Sequence, residues 1–194
     1  MTSQFVHLHL HTDYSLVDGL VRIKPLVKAA AASGMPAIAI TDQHNLFAAV
    51  KLYSAAMQAG VKPILGADIR LRDSNDSKKS LRMVLLCSTM EGYHNLSRLI
   101  SRAYTEGQHL GVPMLEPEWL DGQTDGLICL SGGREGVLGR DLLGGRQTEA
   151  EQLARHWMKL FPNRFYLELI RTGREDEERY IQQALQLASQ LDLP

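Results

Sequence analysis

Short apolar runs alternate with amphipathic segments along almost the whole chain, and that alternation limits the fold more than any other feature. "PAIAITD" is a continuous apolar run of the kind buried on both faces of a parallel sheet. It follows "IKPLVKAAAASG", a helical segment with Ile23, Leu26, Val27 and Ala30 on one stripe and Gly34 as its stop. "NLFAAVKLYSAAMQAG" is the next helix, with Leu46, Val50, Tyr53 and Met57 spaced to pack inward. "KPILGADIRL", "LRMVLLCS", "GLICLSG" and "RFYLELI" read as strands. "EGYHNLSRLISRAYTEG", "QTEAEQLARHWMKLF" and "REDEERYIQQALQLASQL" read as helices, the last with an acidic first turn that suits the helix dipole. The polar run "RDSNDSKKS" reads as an exposed loop or hairpin turn. Repeated strand–helix units of this kind predict an α/β protein, either an open doubly wound sheet or a barrel. The last helix ends at "LDLP", where a sheet of such units would want one more strand.

The 194 residues suffice for one domain with a sizeable core. Lys plus Arg (21) nearly balances Asp plus Glu (22), which argues against autonomous DNA binding by this region. Cys87 and Cys129 both lie in apolar runs and are expected as free buried thiols of a reducing compartment. No apolar run approaches the roughly 20 residues of a membrane span, and the start "MTSQFVHL" lacks the pattern of a signal peptide. The expected location is the cytoplasm.

Chemistry concentrates where strands end, because side chains at the C-terminal ends of parallel strands converge on one rim. "FVHLHLHTDYSLVDG" reads as a first strand with Val6, Leu8 and Leu10 on one face and His7, His9 and His11 on the other. It delivers His9 and His11, with Asp18 in the loop beyond. "ITDQHNL" delivers Asp42, Gln43 and His44, and "LGAD" delivers Asp68. Mixed imidazole and carboxylate donors suit a divalent metal that activates water. The bland readings are a helix cap for Asp42, hydrogen-bonded polar groups for His7 and Asp13, and solvent-facing positions for His94, His109 and His156. The glycines of "SGGREG" read as a turn rather than a phosphate cradle.

The motifs "FVHLHLHTDYSLVDGL", "MPAIAITDQHNLFAAVKLYSAAMQAGVKPILGAD", "EGYHNLSRLISRAYTEG", "GLICLSGG" and "RFYLELIRTGR" together resemble the polymerase and histidinol phosphatase (PHP) domain at the N-terminus of bacterial DNA polymerase III α subunits. The resemblance covers essentially the whole chain, so residues 1–194 are expected to form one PHP domain, the N-terminal piece of a much longer subunit. It implies a distorted (β/α)7, TIM-like barrel, here without its last strand, and a phosphoesterase-type metal cluster at the rim in intact members. Carried over by position, His9, His11, Asp18 and Asp68 match ligands of that cluster, and Asp42 matches the aspartate of its Thr-Asp-His-Gly run. Other positions depart. Gln43 stands where the family has histidine, His44 where it has glycine, Arg82 near a further histidine, and Gly133 in place of a cysteine. Arginine cannot ligate a metal, and its fixed charge repels one.

The resemblance therefore implies a decayed site that holds at most a weak divalent ion (zinc, manganese or magnesium) and requires none. It assigns no catalytic residue to this stretch. Its role is then structural: supporting the remainder of a DNA-directed DNA polymerase and docking the proofreading exonuclease (ε) subunit, with DNA met only through the full-length protein. The rival readings are an active metal-dependent phosphoesterase or 3'–5' exonuclease, and a free-standing PHP phosphatase.

Overall fold

The computed structural model describes residues 5–73 and 80–194. The polar run between "KPILGADIRL" and "LRMVLLCS" falls largely at residues 74–79, outside the described residues. Five strands form one sheet in the order β1 (Ala37–Gln43), β2 (Lys62–Arg72), β3 (Ser80–Cys87), β6 (Leu127–Leu130) and β7 (Phe165–Tyr166). A two-stranded hairpin, β4 (Gln108–His109) with β5 (Val112–Pro113), stands apart. It turns through Leu110 and Gly111, both at positive φ.

β1 pairs parallel with β2, and β6 parallel with β7, but β3 runs antiparallel to both of its neighbours. The sheet is mixed. β3 therefore presents its first residues, not its last, at the rim where β1 and β2 end, and that reversal carries Arg82 to the site.

Helices α1 (Ile23–Ala32), α2 (Ala49–Ala59), α3 (Met90–Thr105), α4 (Gly139–Leu143), α5 (Gln147–Leu160) and α6 (Glu177–Leu191) cover the outer face. α1 buries Ile23, Val27 and Ala30, as its stripe predicts. α2 differs from its expectation. It buries Ala49, Leu52 and Ala56, whereas Val50, Tyr53 and Met57 are exposed. The small alanines let the helix approach the sheet closely, so the inward stripe is offset from the one that the bulkier side chains mark. Ile69, Leu71, Met83 and Leu85 face the layer of α3, α5 and α6. Ala39, Val84, Leu86 and Leu130 face the interior of the curled sheet. Cys129 is buried and Cys87 half-buried; both are free.

"FVHLHLH" is not a regular strand. It runs extended along the free edge of β1, which donates from Ala39 N to the His7 carbonyl and from Thr41 N to the Leu10 carbonyl, each at 2.9 Å. Three steps on this segment match two on β1, so it carries one extra residue, as in a bulge. The alternation breaks there: His7 and Leu8 are both exposed, while His9 and His11 remain together.

No closed barrel forms among the described residues. The expected (β/α)7 barrel is present as a partial one, a sheet curled until its two edges approach. His9, beside β1, meets Glu168, just past β7, with Nδ1 2.7 Å from Oε1. Between these edges lies an open cavity of about 1340 Å³, lined by Val6, Leu8, Ile64, Leu86, Ile128 and Leu169 among others.

Candidate metal centre

Asp68 is the hub. β2 continues four residues past it to Arg72, so Asp68 lies within a strand, 1% exposed, pointing into the curl. Its Oδ2 lies 3.1 Å from His11 Nε2, 3.6 Å from His9 Nε2 and 2.9 Å from Arg82 Nη2. One carboxylate oxygen thus faces two imidazoles and a guanidinium. His9 also binds Glu168, which reading by strand ends did not find. The signal was available: "FYLEL" places an acid inside an otherwise apolar strand-like run, where an ionised side chain needs a partner.

Asp18, 60% exposed, lies 3.3 Å from His11 Nδ1 and 3.7 Å from Arg82 Nη2, and it accepts a hydrogen bond from Gln43 Nε2 at 2.9 Å. The structure thus gathers His9, His11, Asp18 and Asp68 at one rim, with Gln43 at its edge. Arg82 adds a 3.2 Å bond to Glu135, in the turn after β6. Gly133, in that same turn, has φ +63°, a conformation that glycine adopts without strain.

Asp42 is elsewhere. It is 2% exposed and accepts from Thr12 N at 2.6 Å, Thr12 Oγ1 at 2.7 Å and Ser15 Oγ at 2.7 Å. Its oxygens pin the loop after the first segment to β1, so it neither caps α2 nor joins the donor group. His44 is buried at φ +54°, a left-handed conformation that costs a residue with a Cβ about 1 kcal/mol or more. His94 and His156 are exposed and His109 is half-buried.

The electrostatics follow from this packing. Burial alone would push His9 down, but Asp68 and Glu168 more than offset it, and the ring is raised to about 9. Burial would push Asp68 up, yet the hydrogen bonds from His11 and His9 and the Arg82 charge hold it well below the usual carboxylate range. His44 moves the other way. Burial lowers it to about 4; Asp68 opposes this, and the nearby charges of Arg70 and Arg82 add to it.

His9, His11 and Asp68 each offer a donor atom, and these atoms lie within 4.8 Å of one another, a group able to hold one metal ion. Buried Asp68 Oδ1 and Glu168 Oε2 have no hydrogen-bond partner among the described residues, as oxygens directed at a cation would be. As donors, the trio fits a single ion of the kind that takes nitrogen and oxygen ligands. Arg82 competes for the same carboxylate.

Residues 7–172 match the family model for the PHP domain. The chain belongs to the PHP family. It is 50% identical over all of its 194 residues to DNA polymerase III subunit alpha of Pseudomonas fluorescens and equally to that of Pseudomonas aeruginosa. Against the Escherichia coli K12 subunit it is 46% identical over 191 residues. The chain spans 16% of the length of these relatives. Among solved structures, a protein described as a metal-dependent phosphoesterase from Bifidobacterium adolescentis superposes with a TM-score of 0.65 over 99% of this chain and 85% of that one. At 14% identity, that likeness shows a shared PHP-type α/β fold. No helix among the described residues is long and apolar enough to cross a membrane.

Proposed function

We propose that this PHP region serves a replicative DNA polymerase α subunit as a structural and docking unit. In it, a guanidinium occupies the charge position that a metal cluster holds in active relatives. The observation that carries this reading is the 2.9 Å contact between Arg82 Nη2 and Asp68 Oδ2. A permanent cation already neutralises the carboxylate to which a cluster would be anchored, and a second cation brought there meets repulsion. Gln43, bonded to Asp18, is an amide where a stronger nitrogen ligand is needed. The donors that remain, His9, His11 and Asp68, support one weakly held zinc, manganese or magnesium ion. When bound, such an ion would polarise a water or a phosphoryl oxygen.

The complete polypeptide is then a DNA-directed DNA polymerase that works in the cytoplasm. This region supports the rest of the subunit and carries the proofreading exonuclease subunit, and DNA is engaged by the larger protein. The near balance of acidic and basic residues supports a protein-docking role over autonomous DNA binding. Co-purification of the complete polypeptide with the exonuclease subunit tests the docking role, and clean absence of binding would remove it.

The rival reading, an active metal-dependent phosphoesterase, draws on the His9–His11–Asp68 trio and the unpartnered Asp68 Oδ1. A phosphoesterase assay of the complete polypeptide with zinc or manganese separates the two. Our reading predicts background hydrolysis. Turnover that disappears in His9→Ala would establish the rival.

A further inference from the structure

Arg70 and Arg82 stand directly opposite each other on β2 and β3. Like charges in such a cross-strand pair destabilise a sheet unless something lies between or beside them. Arg134, from the turn after β6, and Arg140, from α4, reach the same place. With Ser80, Glu135 and Leu143 these four arginines line a pocket of about 430 Å³. It is distinct from the metal centre: neither His9, His11 nor Asp68 lines it, and Arg82, Arg134 and Glu135 form the wall between the two.

Carboxylates account for only part of this charge. Arg140 pairs with Asp73. Arg82 is shared between Asp68, Asp18 and Glu135. Arg134 donates to the Glu175 carbonyl and reaches Glu135 only at 4.0 Å. Arg70 has no carboxylate partner among the described residues, and Arg82 Nε is buried without a hydrogen-bond partner there. Among the described residues Glu135 is the single acid on the lining, and it also faces Arg174 at 3.5 Å.

We propose that this pocket is a binding site for a phosphoryl group, borne by inorganic phosphate or by a nucleoside monophosphate. Arg70 and Arg82 Nε keep donors that these carboxylates do not take up, beside the guanidinium forks of Arg134 and Arg140. A phosphoryl dianion presents three acceptor oxygens, each able to take charge-assisted bonds. The volume exceeds what phosphate fills and leaves space for a nucleoside. The site does not depend on a metal, so it stands or falls separately from the reading of the neighbouring centre.

Calorimetric titration of the complete polypeptide in chelator, with inorganic phosphate and with a deoxynucleoside 5'-monophosphate, tests it. Saturable binding of either probe is expected, weakened roughly ten-fold in Arg70→Gln and again in Arg134→Gln. The melting temperature of Arg70→Gln should match or exceed that of the parent, because the opposed like charge is gone, so lost binding will not reflect lost fold. Tighter binding of the nucleotide assigns the remaining space to the nucleoside, and equal binding assigns phosphate alone. No saturable binding of either probe, binding indifferent to both substitutions, or binding abolished by the chelator would overturn the proposal.

Discussion

At the scale of single residues, the rim is organised by where each buried carboxylate finds its donors. Asp42 takes three hydrogen bonds from Thr12 and Ser15. Asp42→Asn puts an amide N–H₂ against these donors, so it should cost about 2–3 kcal/mol in denaturant unfolding and loosen the loop that carries Asp18. His9 and His44 give stability two opposite pH limbs. His9 is raised from an ordinary 6.5 to about 9, so the folded state binds the extra proton. Its contribution is complete below about pH 6.5 and is lost as pH rises towards 9. His44 is lowered to about 4, so stability falls as pH drops from 6.5 towards 4 and unfolding favours the charged ring. Melting in chelator should therefore peak near pH 6.5. His9→Gln should flatten the alkaline limb alone, and an unchanged alkaline limb would count against the His9 contacts with Asp68 and Glu168.

At the scale of elements, α2 and β3 divide what a sequence can tell from what it cannot. Apolar runs located β1, β2, β3 and β6, and spacing located every helix longer than ten residues, because burial on a sheet face and on a helix stripe leaves different periods. The inward face of α2 was illegible. Alanine marks a close approach as effectively as it marks nothing, so Ala49 and Ala56 carried no signal beside Val50, Tyr53 and Met57. Leu52→Ala should cost about 2–4 kcal/mol. Val50→Ser and Met57→Ser should stay within about 0.5 kcal/mol by the same denaturant measurement, and the reverse ranking would restore the bulkier stripe as the buried one. The direction of β3 was also hidden, since a strand's own residues do not say which way its neighbours run. Candidate site residues were legible as imidazoles and a carboxylate set among apolar runs: His9, His11 and Asp68, although Asp68 lies inside β2 rather than at its end. Glu168 was marked only as an acid inside an apolar run, and Glu135 not at all, because their partners are set when the curl brings distant segments together.

At the scale of the whole molecule, the curl is fastened where residues far apart in sequence exchange charge: His9 with Glu168, and Asp68 with His11 and Arg82. The first contact joins the two edges of the sheet, and the second joins the first segment to β2 and β3. The second requires a cation beside it, because Asp68 is ionised and buried. On the function proposed above, the guanidinium of Arg82 supplies that charge beside the raised His9 ring. Thermal melting of the complete polypeptide and of Arg82→Gln, each in chelator and in zinc, asks which cation the fold relies on. The variant should melt several degrees below the parent in chelator and recover most of that loss in zinc, while the parent shifts little. A parent stabilised by zinc as strongly as Arg82→Gln would show that metal, not arginine, holds the rim.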